Sequence, residues 1–180
     1  MLDVNGRDVL VVGAGPVATQ KTQGLIAGGA RVSVVAREVT DAMRELRPST
    51  IHQRTYESSD LDGCWLVFAA TGDPTLQQRI HDEATNRRLW VNCADEPSRC
   101  SFILTAVHRT GPITLSVSTG GASPALARWL RTRLADAIPA NIDAVIAELR
   151  VRRKAFQDSG ESTESIDWKP IIDELVERAG

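Results

Sequence analysis

The chain has 180 residues, room for one domain or for a domain with a smaller appendage. Its 42% hydrophobic and 24% charged content excludes a disordered tail, a collagen-like repeat and a coiled coil. The net charge of −2 is too balanced to point to a nucleic-acid partner.

No apolar run approaches the roughly 18 residues that a membrane span needs, so no membrane partner is expected. The start, Met1-Leu2-Asp3-Val4-Asn5, lacks the pattern of a secretory signal. Cys64, Cys93 and Cys100 are an odd number without C-x-x-C spacing, which suits a reducing, cytoplasmic setting better than a disulfide framework.

The first half alternates strand and helix. Asp8 to Val12 is a short apolar run ending at glycine, the pattern of a buried parallel strand. Gly15 to Ala27 reads as a helix, with Val17, Ala18, Lys21, Leu25 and Ile26 near helical spacing and Gly28-Gly29 as its stop. Arg31 to Val35 is a strand rich in β-branched residues. Thr40 to Arg47 is a second helix, ended by Pro48. Trp65 to Ala70 is another buried strand. Asp73-Pro74 then sets a carboxylate cap before a proline and opens a helix to Arg87. Leu89 to Cys93 is the next strand. This alternation predicts an α/β fold with an open parallel sheet of Rossmann type.

The second half changes character. Ile113 to Ser118 alternates with period two, as a half-exposed, antiparallel strand would. Thr119 to Ala122 is a turn, and Ser123-Pro124 opens a helix over Ala125 to Leu134. Pro139 breaks the chain. Ile142, Val145, Ile146, Leu149 and Phe156 mark an amphipathic helix. Ser159-Gly160-Glu161-Ser162-Thr163 is a polar linker before a last helix over Ile166 to Arg178. One strand with helices is too thin for an independent core and gains stability by pairing with a copy of itself.

Gly13-Ala14-Gly15-Pro16-Val17-Ala18 fits G-x-G-x-x-G/A after a strand and at the start of a helix. The glycines allow a tight turn and close approach of a pyrophosphate, which the helix N-terminus favours. Gly13, Gly15, Pro16 and Val17 are therefore candidate dinucleotide contacts. After the second strand, Glu38 would hold the ribose hydroxyls of NAD, whereas Arg37 would face the 2′-phosphate of NADP. The residues leave that choice open, and both also suit a plain surface loop. Thr71 and Gly72 are placed to line the crevice, and Asp73 reads as a helix cap.

Asp95, in Asn92-Cys93-Ala94-Asp95-Glu96-Pro97, stands at the same carboxyl edge. It is a candidate proton acceptor or a turn residue, with Glu96 as its competitor. Ser118, Thr119, Gly120, Gly121 and Ser123 form a loop dense in hydroxyls and N–H groups, either a carboxylate cradle or a capped turn. Pro97 to Ala135 contains no acid but five arginines: Arg99, Arg109, Arg128, Arg131 and Arg133. The rest of the chain thus carries −7. Such a segment fits an anionic ligand or a solvated basic face. His52, His81 and His108 share no metal-ligand spacing, so no resident metal is expected. A G-x-S-x-G elbow and a Walker A loop are both missing.

Four of these pieces, in this order, resemble the N-terminal module of siroheme synthases. They are Val9 to Ala18 with Lys21, Ala69-Ala70-Thr71, Val91 to Pro97 with Cys100-Ser101-Phe102, and Val117 to Arg128. The chain departs from the pattern at Gln20, Gly72 and Gln77. The resemblance implies precorrin-2 dehydrogenase activity with NAD as cofactor, Asp95 as catalytic carboxylate and a tetrapyrrole substrate of eight carboxylates. Ser118, Thr119, Gly120, Gly121, Ser123, Arg128 and Arg131 would bind that substrate.

The resemblance also implies a homodimer built through the second half, and ferrous iron as a further substrate where chelatase activity is present. The expected organisation is a Rossmann domain over 1–108, a small α+β dimerisation and substrate region over 109–139, and C-terminal helices over 140–180. A dehydrogenase without chelatase activity and a non-catalytic, NAD-binding redox sensor are the alternatives.

Overall fold

The computed structural model describes residues 2–160, 162–164 and 166–178; Met1 and Glu161, both named above, lie outside them. The chain packs as two compact units, Met1–Ile103 and Leu104–Gly180.

The first unit is a parallel sheet in the order β3-β2-β1-β4-β5. Its strands are β1 (Asp8–Val12), β2 (Arg31–Ala36), β3 (Thr50–Gln53), β4 (Leu66–Ala69) and β5 (Trp90–Cys93). The helices are α1 (Pro16–Ala27), α2 (Asp41–Glu45) and α3 (Pro74–Asn86). Apolar residues run continuously along β1 and β4 because both faces are covered. Val9, Val11, Val32, Val34 and Phe68 join Ala18, Leu25 and Met43 on one face. Leu10, Val12, Val35, Val67 and Val91 join Ile80 and Ala84 on the other.

From β1 the chain first moves outward to β2 and β3, then crosses back to β4 and β5. The switch point therefore lies between the carboxyl ends of β1 and β4, where open α/β sheets form a crevice.

The elements read from sequence recur with shifted ends. Thr40 caps α2 through its hydroxyl, and the helix stops before Arg47, whose φ is +51°. Strand β3 had no counterpart in the sequence reading, since only Ile51 of its four residues is partly buried and apolar. Asp73 does cap α3, accepting the N–H groups of Thr75 and Leu76 at 2.9 and 3.1 Å.

The second unit opens with an antiparallel hairpin, β6 (Ala106–Thr110) and β7 (Ile113–Val117), with α4 (Pro124–Ala135) packed on both strands. The division expected after residue 108 falls inside β6. Helices α5 (Ile142–Asp158) and α6 (Trp168–Glu177) pack on each other. Phe156 meets Trp168 edge to face with ring centroids 5.9 Å apart, and Asp167 caps α6. No helix among the described residues is long and apolar enough to cross a membrane.

Candidate functional site

The two motif glycines are required for different reasons. Gly13 has φ +115°, and its N–H donates to Val35 O at 2.9 Å. A Cβ at Gly13 would collide with the backbone oxygen of Ala70. Its bareness lets the chain leaving β1 run against the chain leaving β4. Gly15 has extended backbone that any residue adopts, with φ −76° and ψ −175°. A Cβ there would meet nothing within 4 Å. Packing inside the protein does not demand this glycine; its bareness clears the space over the first turn of α1.

That first turn carries neither a side-chain cap nor an acid, and Pro16 occupies its start. The free N–H groups and the positive helix end thus face a cradle that a Cβ would fill. An anionic pyrophosphate fits these donors. Ala18 is fully buried against the sheet, while Val17 stays 43% exposed beside the cradle.

Thr40 also shapes this loop, a role that sequence reading had limited to the start of a helix. Its hydroxyl donates to Ala14 O at 2.9 Å and accepts the N–H of Met43 at 3.3 Å. Arg37 and Glu38 lie exposed in the bend after β2. Neither side chain makes a hydrogen bond or ion pair among the described residues, so both are open to a ligand. Beyond β4, Thr71 is held by its own turn: its carbonyl accepts from Gln77 Nε2 at 2.5 Å and its hydroxyl from Asp73 N at 3.3 Å. A Cβ on Gly72 would meet open space.

Ala94 N donates to Ala69 O at 2.9 Å, so the chain past β5 continues along the end of β4. The next residue, Asp95, is exposed and left-handed, with φ +62°. Aspartate enters this region more readily than most residues, and Asp95 shares the conformation with only Arg47 and Arg88 among the described non-glycine residues. Its carboxylate has no hydrogen-bond or ion-pair partner among the described residues. Its competitor Glu96 does have one, accepting from Ser98 Oγ at 2.7 Å.

The Asp95 turn is stapled from below. Cys100 Sγ accepts from Cys93 N and donates to Cys93 O, both at 3.2 Å. His81 Nδ1 lies 3.0 Å from Arg99 O. Burial pushes the Cys93 thiol up to about 11, which suits packing rather than nucleophilic chemistry.

In the second unit, Gly120 and Gly121 have φ +61° and +86°, with open space where side chains would stand. The hydroxyls around them hold the loop together. Thr119 Oγ1 accepts from Ser123 N at 3.0 Å and donates to Ser123 O at 3.1 Å. Ser118 Oγ accepts from Gly120 N at 3.2 Å, and Ser123 Oγ caps α4 through Leu126 N at 3.2 Å. What the loop leaves to a ligand is mainly backbone. Arg128 is exposed, whereas Arg131 is half-buried; its Nη2 donates to Thr132 Oγ1 at 3.1 Å and its buried Nε has no partner among the described residues. Among the described residues, no three His, Cys, Asp or Glu side chains gather as a metal site would require.

A family model described as "Putative NAD(P)-binding" matches residues 1–106, and one described as "Sirohaem biosynthesis protein central" matches residues 110–137. Siroheme synthases of Salmonella paratyphi A and Salmonella typhimurium are each 37% identical over 162 residues. The alignment covers 86% of this chain and 35% of each relative, so the chain spans about a third of their length. A solved structure titled "SirC, precorrin-2 dehydrogenase" superposes with a TM-score of 0.72 at 25% identity, over 99% of this chain and 96% of that one.

Proposed function

The chain belongs to the NAD(P)-binding family represented in siroheme biosynthesis, and from that premise we propose that it oxidises precorrin-2 to sirohydrochlorin with NAD. The observation that carries this reading is Asp95. It is a carboxylate without a hydrogen-bond or ion-pair partner among the described residues, on a left-handed residue at the carboxyl edge that also bears the anion cradle. NAD, when bound, supplies the acceptor for a hydride.

The first turn of α1 holds the pyrophosphate, with Gly13, Gly15, Pro16 and Val17 giving it room. Thr71 and Gly72 line the crevice, and Glu38 meets the ribose hydroxyls. Asp95 accepts the proton that the macrocycle releases as conjugation extends. Ferrous iron is then a substrate of a second step, in which the metal displaces two pyrrole protons, one accepted by Asp95 and the other by water. The three free thiols suit a reducing compartment, and we assign the enzyme to the cytosol.

Comparing anaerobic turnover of precorrin-2 with NAD and with NADP tests the cofactor assignment. Faster turnover with NAD is expected. An advantage for NADP would transfer the ribose contact to Arg37. Turnover with neither cofactor, while NAD still binds, would make the chain a redox sensor.

Arg128 and Arg131 hold substrate carboxylates through charge-assisted hydrogen bonds in this reading. Arg128→Ala and Arg131→Ala should therefore raise KM for precorrin-2 and leave NAD affinity unchanged. Unchanged kinetics in both would return these residues to surface charge.

The same unit supports a homodimer. Leu126 and Trp129 of α4 are 47% and 58% exposed, and Arg133 covers the Trp129 ring at 5.5 Å from its centroid. Light scattering at micromolar concentration should give the dimer mass. A stable, active monomer would contradict it.

A further inference from the structure

Lys21 sits in the middle of α1 and is half-buried, with its ammonium over an aromatic ring. Its Nζ lies 5.3 Å from the Phe68 ring centroid. Burial lowers its pKa below the ordinary lysine range, with Cys100 and Asp95 acting the other way. It makes no ion pair among the described residues. Its hydrogen bond goes to Asn92 Oδ1, at 3.0 Å.

Asn92 is buried, and its amide is oriented by a second bond, Nδ2 to Phe102 O at 2.9 Å. The Asn92 oxygen is thereby turned towards Lys21. Asn92 lies three residues before Asp95, at the root of the stapled turn. The Lys21–Asn92 bond ties the helix that opens at the anion cradle to the strand that presents the carboxylate.

A partly desolvated cation without an ion-pair partner is a poor stabilising device, since its burial cost is only partly returned by one hydrogen bond to a neutral amide and a cation–π contact with Phe68. An apolar side chain of similar length would pack against Phe68 more cheaply.

We propose that Lys21 is a positioning residue for Asp95, acting through Asn92 to fix the carboxylate relative to the cofactor-binding helix. The proposal rests on the reading of Asp95 as proton acceptor, and its test separates the two. Lys21→Met and Lys21→Arg are compared in the full chain for thermal midpoint, NAD affinity and anaerobic kcat and KM with precorrin-2. Lys21→Met is then repeated in the Asp95→Asn background.

Misplacing a reacting group by about 1 Å costs about 10²-fold in rate, which bounds the expected loss. Lys21→Met should lower kcat by about 10–10²-fold with midpoint, NAD affinity and KM little changed. Lys21→Arg, which keeps charge and donor, should recover most of that loss. In the Asp95→Asn background Lys21→Met should add nothing, because the carboxylate it positions is already gone.

Normal kcat in Lys21→Met, or equal loss in both variants accompanied by lower midpoint and NAD affinity, would overturn the proposal and make Lys21 a packing residue. If Lys21→Met fails to fold, Lys21→Arg decides between them. Retained kcat and NAD affinity support the positioning role, whereas a loss of kcat together with midpoint and NAD affinity overturns it. A fully active Asp95→Asn enzyme would instead remove the underlying reading of Asp95.

Discussion

Replacing Asp95 by asparagine is expected to slow precorrin-2 dehydrogenation by about 10²–10⁴-fold, the usual contribution of a positioned base. The exchange keeps shape and removes proton affinity. Asparagine also tolerates φ +62° as readily as aspartate does, so the turn should keep its form. Because Asp95 makes no hydrogen bond or ion pair among the described residues that asparagine would break, the thermal midpoint should not move. NAD affinity should hold as well, since the cradle lies on α1. If iron insertion uses the same base, it falls in parallel. A loss of dehydrogenation alone would assign insertion to another group, with Glu96 and His108 the next to test. Full activity would mean that water takes the proton.

The second large effect separates the two motif glycines. Gly15→Val should leave the fold intact, since that backbone is extended and a Cβ there meets nothing within 4 Å. It should weaken NAD binding by about 10–10²-fold. Each hydrogen bond to a charged group is worth about 1.5–3 kcal/mol, and the new side chain pushes the pyrophosphate off at least one N–H. Gly13→Ala should do the opposite in order of cause. Its φ of +115° strains any L side chain, and its Cβ meets the Ala70 carbonyl oxygen. The thermal midpoint should drop first, with NAD binding lost as a consequence. Calorimetric melting and NAD titration of both variants check this. A stable Gly13→Ala protein with normal affinity would contradict the close approach of β1 and β4.

Much of the first unit was legible because its signals are local. Continuous apolar runs mark β1 and β4, and proline after Asp73 marks the start of α3. The glycine motif could be placed because a strand and a helix flank it. Strand β3 lacked such a signal: it is a short edge strand whose side chains are mostly exposed, and Thr50, His52 and Gln53 carry no apolar pattern. Strand β6 mixes His108 and Arg109 into its five residues, and only pairing with β7 defines it.

The site shows the same division. The placing of Asp95 at a strand's carboxyl end could be read from sequence, but its left-handed backbone and its unpartnered carboxylate could not. The loop around Thr119 and Ser123 reads from sequence either as a carboxylate cradle or as a capped turn, and Ser123-Pro124 marks the start of α4, where Ser123 is the cap. The bonds between Thr119 and Ser123 appear only in three dimensions. The Lys21–Asn92 bond joins residues 71 apart, and nothing local announces it.

The most direct measurement is anaerobic mixing of the protein with precorrin-2 and NAD, following NADH and the tetrapyrrole absorbance together. One NADH is expected for each sirohydrochlorin formed, at a rate that collapses in Asp95→Asn. Sirohydrochlorin appearing at the same rate without NAD, or NAD binding with no NADH formed, would contradict it.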